Sequence, residues 1–426
     1  MRRAICQIAL AFVFIALSFT FSYAQKLSAD EQKIIDYVDA HMGEALGMLE
    51  SVVDIESPSE DIAGVKQVGM VFKRELESLG LTARWIEMPA EMKRAGHLVA
   101  STKGTKGRRI LLLGHIDTVL RGEKFRREGK KAFGTGSADM KAGDVVLLFA
   151  LKALNATGAL KDTRITVMLT GDEESVGRPI EISRRDMVAA AKDSDLALSF
   201  EATVGNSATV GRRGSSNWKL EVDARTGHSA GIFSEGMGSG AIFEAARIVN
   251  QFYEALHQEK YLTFNPSIIV GGTEATLDGP AGTAKGKTNV VAAKAIVMGD
   301  LRFISEEQKE AARVKMREIV ARALPRASSK ITFDDGYPAM TPSEGNYALL
   351  KEMDQVSQDL GFGKIEALDP GARGAGDIAF VSHLIPGLDG IGASGGGAHA
   401  PGESVDLESL PKVTKKAAVL IYRLTR

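Results

Sequence analysis

The chain has 426 residues, with 53 basic and 54 acidic side chains, a formal charge of −1 and 44% apolar residues. That near-neutral balance argues against a nucleic-acid partner, and the length and apolar content allow a large core divided between two domains. Its only cysteine is Cys6, so neither a disulfide nor thiol chemistry is available to the rest of the chain.

Met1-Arg2-Arg3 precedes an apolar stretch from Ala4 to Phe21 and then Ser22-Tyr23-Ala24, the charge, core and small-residue pattern of a secretory signal cleaved after Ala24. The stretch is nearly long enough for an uncleaved anchor, but Gln7, Ser18 and Thr20 and the small residues at its end favour removal. The expected product is a periplasmic or secreted protein of 402 residues, with 51 basic and 54 acidic residues and a charge of −3, not stably inserted in a membrane. No later stretch is long and apolar enough to span a bilayer.

Residues 30–53 carry apolar positions at helical spacing, from Ile34 and Ile35 through Val38, Met42, Leu46 and Leu49 to Val53, with Asp30 as the cap. A second helix fits 62–79 and ends at Gly80. The runs 109–114 and 164–169 are short, apolar and ended by glycine or followed closely by one, as buried central strands are, and a helix fits 142–157 between them. Strand, helix and strand at this spacing imply an α/β domain with a mostly parallel sheet covered by helices on both faces. Around residue 213 the rhythm changes: strand 218–222, helix 238–256, strands near 267–270 and 289–301, helix 305–322 and strand 330–333. This β-α-β-β-α-β order is that of a ferredoxin-like sandwich. Helix 344–360 and a glycine-rich run holding His399 follow. The division is therefore 25–213 and 326–426 for a split first domain, with 214–325 inserted.

The chemistry concentrates in Thr170-Gly171-Asp172-Glu173-Glu174, which follows an apolar strand, with His115-Ile116-Asp117 and Ala138-Asp139-Met140-Lys141 upstream and Glu201 and His399 downstream. Alone, a His-x-Asp is more often a hydrogen-bonded core histidine, and paired glutamates more often start a solvated helix. Together they sit where the carboxyl ends of parallel strands gather ligands. Imidazole and carboxylate suit zinc or a similar borderline ion, and a carboxylate such as Asp139 can bridge two. Two close cations acidify a shared water, and whichever of the two glutamates is not a ligand is free to act as general base. Of the seven histidines, His115, His228 and His399 lie in glycine-flanked settings, whereas His41, His97, His257 and His383 do not.

Read together, Gly114-His115-Ile116-Asp117-Thr118-Val119, Gly136 to Gly143, Thr170 to Glu174 and Gly397-Ala398-His399-Ala400-Pro401 resemble the M20 family of metallopeptidases over the whole chain after the signal. The resemblance implies a catalytic domain that holds two zinc ions, or cobalt or manganese, and an inserted lid and dimerisation domain. It implies His115 and Glu201 on one metal, Glu174 and His399 on the other, Asp139 between them, Glu173 as general base and Asp117 orienting His115. Glutamate at 201, in Leu198-Ser199-Phe200-Glu201, is similar to the glutamate carboxypeptidase branch. In the lid, His228 would polarise the scissile carbonyl from its own or a partner subunit, and Asn289 and Arg302 would contact the substrate's carbonyl or carboxylate. The structural alternative for Arg302 is a salt bridge to Asp300. Glutamate-releasing relatives tend to carry an arginine where Tyr337 stands, the stretch 271–287 is longer than expected, and Arg373 is a candidate replacement cation. The implied activity is cleavage of the amide before a C-terminal amino acid in a small N-acyl amino acid or short peptide, by a homodimer. The rivals are an aminoacylase or dipeptidase of the same family and, from another class, a non-catalytic metal-bound binding protein.

Overall fold

In the computed structural model, which describes residues 27–426, the larger unit is built around the strand Lys106–His115. The expected signal, its cleavage point and Cys6 lie outside the described residues. Strands Thr163–Thr170 and Leu196–Ser199 run parallel to Lys106–His115 on its two sides, and Gly387–Leu388 adds a further parallel strand. At the opposite edge His97–Ser101 and Thr82–Ile86 turn antiparallel, which gives a mixed, mostly parallel sheet of six strands. Side chains alternate along a strand: Ile110 and Leu112 cluster with helices Ala142–Ala156 and Ser409–Leu424, while Leu111 and Leu113 cluster with Met187, Ala191 and Ile378. Both faces are covered, which is why the run is apolar at every position.

The expected helix 30–53 is two helices, Ala29–Ala40 and Met42–Val53. His41 leaves helical geometry between them, with its ring stacked on Tyr37 and Nδ1 2.7 Å from the Tyr37 carbonyl oxygen. The cap is Ser28 and not Asp30, because Ser28 and Glu31 form a reciprocal capping box. Helices Ile62–Ser78 and Ala142–Ala156 stand where the spacing predicts them. Gly143 fixes how close the latter comes: a Cβ there would lie 1.9 Å from the Phe200 carbonyl oxygen.

In the inserted segment, strands Gly214–Ala224, Thr263–Gly272, Lys294–Phe303 and Ala327–Asp335 form an antiparallel sheet. Helices Gly240–Leu256 and Glu306–Val320 pack against it over Trp218, Leu220, Phe252, Leu301 and Met316, the β-α-β-β-α-β order of a ferredoxin-like sandwich. The sheet does not stop at 325. Ala327–Asp335 pairs with the first lid strand from Ala327 opposite Ala224 to Asp335 opposite Ser216, so hydrogen bonding carries the lid to Asp335. Within 271–287, Glu274–Asp278 and Ala281–Lys285 make an exposed hairpin. Among the described residues no helix is long and apolar enough to cross a membrane.

Candidate metal centre

Three neighbouring parallel strands deliver the site. Lys106–His115 ends on His115, Thr163–Thr170 runs into Asp172-Glu173-Glu174, and Leu196–Ser199 into Glu201. The His115 ring is 1% exposed; Nε2 lies 3.2 Å from Asp139 Oδ1 and 3.7 Å from Glu201 Oε1. His399 Nε2 lies 3.2 Å from Asp139 Oδ2 and 3.1 Å from Glu174 Oε2. One carboxylate thus turns one oxygen to each of two imidazoles, and each imidazole has a second carboxylate beside it. Glu173 completes the cluster, with ligand atoms of His115, Glu173 and Glu201 within 4.8 Å of one another.

Asp117 does more than orient an imidazole. Its Oδ1 accepts from the Glu173 amide and its Oδ2 from the Glu174 amide, both at 3.0 Å, and Ser59 Oγ donates to Oδ2 at 2.6 Å. His115 Nδ1 is 3.1 Å from the Asp117 carbonyl oxygen. The residue that sets the histidine therefore also sets the backbone of both glutamates.

The charges are unbalanced without a cation. Burial, together with Glu201, Asp377 and Glu174, raises Glu173 well above the usual carboxylate range despite His115. Burial and Asp139 push Glu201 up to about 7 against the pull of Arg212 and His115. Hydrogen bonds to Asp139 and Glu174 raise His399 to about 10. Buried acids that resist ionisation, and an imidazole that keeps its proton, are the donor chemistry of a site in which divalent ions take the place of protons. A small cavity lined by Thr118, Asp139, Glu174, His399 and Glu403 lies beside these carboxylates. The residues fit a pair of metal ions.

Several supporting groups escaped the sequence reading. Glu403, 5% exposed, accepts from the amides of Gly136, Ala138 and Asp139, each at 2.8 Å. It fixes the loop that presents the shared aspartate, while Gly136 turns that loop at φ 76°. His399 itself has φ 64°, a left-handed conformation that is uncommon for a non-glycine residue. Arg212 Nη1 is 2.7 Å from Asp389 and 3.7 Å from Glu201. Arg184 is buried between Asp377, at 2.8 Å, and Asp172, at 2.5 Å, the residue before Glu173. The Tyr337 hydroxyl donates to the Glu173 carbonyl oxygen and accepts from Arg184 Nη2 at 3.3 Å. The only signal for Glu403 is its place four residues after His399; its partners are backbone amides more than 260 residues earlier, which no spacing announces.

The lid residues stand apart. His228 is exposed, with Nδ1 accepting from the Ala230 amide at 3.2 Å, and it shares a rim with Asn289, whose carbonyl accepts from the Ser229 amide at 2.9 Å. Arg302 is paired with Asp300 at 2.9 Å. Among the described residues, none of these three is hydrogen-bonded to the metal-site cluster. Arg373 is not a solvated loop arginine: its side chain is 13% exposed and Nη2 lies 4.0 Å from Asp389, the partner of Arg212. A cavity of about 1170 Å³ opens between helix Arg185–Lys192 and the lid residues Phe303, Glu306 and Lys309, with Tyr337 in its wall. None of the metal-site residues lines it, and Arg178 and Lys309 are paired there with Asp334 and Asp335. The chemistry therefore belongs to the small, charged site and not to this wider cavity.

Residues 111–423 match the family model described as peptidase family M20/M25/M40. The chain is 30% identical over 392 residues to carboxypeptidase G2 of Pseudomonas sp. strain RS-16, covering 88% of each protein. Its fold is similar to the crystal structure of aminopeptidase PepT from Bacillus cereus, with a TM-score of 0.73 and 17% identity over 90% of this chain and 99% of the other. It is also similar to YXEP of Bacillus subtilis, described as a dinuclear metal binding peptidase from the M20 family, with a TM-score of 0.63 and 15% identity over 91% and 99%. The chain belongs to peptidase family M20/M25/M40.

Proposed function

We propose that this M20 metallohydrolase is an exported two-zinc enzyme that cleaves the amide before a free C-terminal amino acid, in small N-acyl amino acids or short peptides, and works as a homodimer. The observation that carries this reading is the Asp139 carboxylate with one oxygen 3.2 Å from His115 and the other 3.2 Å from His399. His115 and Glu201 would hold one ion, Glu174 and His399 the other, and Asp139 both; cobalt or manganese would satisfy the same donors. When bound, the pair acidifies the attacking water and polarises the carbonyl.

Glu173 then takes a proton from that water as its oxygen attacks the carbonyl carbon, and returns it to the leaving amine when the C–N bond breaks. Asp117 keeps the Glu173 and Glu174 amides in place throughout. Closure of the lid brings His228 to the developing oxyanion and Asn289 beside it. Arg302 exchanges its exposed partner Asp300 for the substrate's terminal carboxylate, whose two oxygens match a guanidinium. Tyr337, where glutamate-releasing relatives tend to carry an arginine, supplies no positive charge to a glutamate side-chain carboxylate and its hydroxyl is already given to Glu173, which favours a released amino acid other than glutamate. The similarity to a carboxypeptidase supports the C-terminal reading.

The test is amine release, followed by mass spectrometry, from a pool of N-acyl and N-aminoacyl amino acids incubated with the zinc-loaded protein. Release of one class of C-terminal amino acid supports the proposal, and the acceptor that remains separates a carboxypeptidase from an aminoacylase or dipeptidase. With both metals verified, no release from any member would turn the reading to a metal-bound binding protein.

A further inference from the structure

We propose that Tyr337 is a positioning residue through which the seating of the lid is transmitted to the general-base loop; this rests on the reading of Glu173 as the base. The chain crosses between the two units twice, just before Gly214 and just after Asp335, and the two crossings are tied together at Tyr337. The Ser215 amide donates to the Tyr337 carbonyl at 2.8 Å, the Gly336 amide to the Ser215 carbonyl at 3.1 Å, and the Tyr337 amide to Ser215 Oγ at 3.3 Å. The backbone of Tyr337 therefore moves with the first lid strand.

Its side chain belongs to the other unit. The hydroxyl donates to the carbonyl oxygen of Glu173, and the ring packs against Phe380 with centroids 4.9 Å apart. Arg184, locked by Asp172 and Asp377, donates to the same hydroxyl at 3.3 Å. The peptide groups on the two sides of Glu173 are thus held by different parts of the molecule. Its amide is bound to Asp117 in the catalytic unit, and its carbonyl to the lid crossing. The other flank of Tyr337, with Gly336 and Pro338, faces the 1170 Å³ cavity, which leaves room for the crossing to shift when the lid does. A shift of a few tenths of an ångström at a proton-abstracting carboxylate is enough to matter for rate. The hydroxyl is directed inward and fully used, which separates this role from substrate binding.

The experiment uses Tyr337→Phe, which keeps the ring and deletes the donor, in the zinc-loaded protein and in the metal-free protein. In the loaded enzyme kcat should fall about tenfold or more with KM within about twofold, and metal content should be unchanged. In the metal-free protein, hydrogen exchange should quicken in peptides covering 171–176 and stay the same in helix Glu306–Val320. Ser215→Ala, which weakens the tie to the lid, should add little to kcat loss in the Tyr337→Phe background if both act through one linkage. Unchanged kcat in an active enzyme, unchanged exchange at 171–176, or fully additive losses would overturn the proposal. If the unaltered protein cleaves no amide, it is the base assignment that fails, and the exchange comparison still decides whether Tyr337 holds that loop.

Discussion

A carboxylate that takes a proton from water has to be ionised when the water arrives, and Glu173 sits among groups that oppose ionisation until cations are bound. Replacing it by glutamine should lower turnover by roughly two to four orders of magnitude and leave metal content, measured by plasma mass spectrometry, intact. Loss of one metal would make Glu173 a ligand instead. The pH response of metal binding follows from His399. In the metal-free site it keeps its proton until about pH 10, so a divalent ion must displace that proton, and affinity should rise as pH increases from 6 to 9. Calorimetry in buffers of different ionisation enthalpy would register the released proton; a flat pH profile would contradict it. The candidate ligands were legible because His115, Glu174 and Glu201 follow apolar strands and Asp139 and His399 sit in short glycine-flanked signatures. Glu403, Arg212 and Arg184 were not, because their partners are backbone amides and buried acids set beside them only by the fold.

Between elements, one of the tightest fits is the start of helix Ala142–Ala156 against the residue that follows strand Leu196–Ser199. Gly143→Ala would push a methyl into the Phe200 carbonyl, 1.9 Å away, and should cost about 1–3 kcal/mol or more. Urea unfolding should show a lower midpoint with unchanged slope. Because Phe200 precedes Glu201, the same substitution should weaken metal binding. The central strands and the helices between them were readable because burial on both faces leaves an uninterrupted apolar signature. The helix Ser409–Leu424 went unread although Leu410, Val413, Ala417, Leu420 and Leu424 are buried at helical spacing; the glycine-rich run before it drew attention instead. The edge strand Thr82–Ile86 and its neighbour His97–Ser101 are short and half-exposed in places, so pairing and not composition defines them. The strand at 330–333 was readable, but its full extent was not: no residue of Ala327–Asp335 is fully buried, and the strand reaches ten residues past the expected boundary because its register with Gly214–Ala224 holds it.

At the scale of the molecule, the Asp172–Arg184–Asp377 group lies under the junction of the two units. Burial alone would raise Asp172, but Arg184, His97 and the hydrogen bonds from Ser183 and the Gly177 amide together outweigh it and hold the carboxyl at about 2, below its ordinary value of 3.8. Its folded-state value is depressed, so the stability it gives is present above about pH 4 and is lost as pH falls toward 2; thermal melts across pH 5 to 2 should show that decline. Arg184→Met leaves two buried acids without their cation and should destabilise by about 3–5 kcal/mol. The exposed apolar residues Phe233, Ile242, Phe243, Tyr253 and Ile269 all lie in the lid, which supports an assembly through that unit. Sedimentation should give a dimer, and Phe243→Glu with Ile269→Glu should give a monomer; a monomeric parent with full activity would mean that His228 acts within its own chain or not at all.

The cradle that Glu403 makes for the Asp139 loop, with His399 four residues before it, also sets a schedule. Every other candidate ligand is encoded by residue 201, yet Asp139 is neither reached by His399 nor braced by Glu403 until about two hundred further residues, the whole inserted lid among them, have been translated. A nascent chain therefore carries a half-built site through the synthesis of the entire lid, and the cluster closes only after the chain has returned to the catalytic unit.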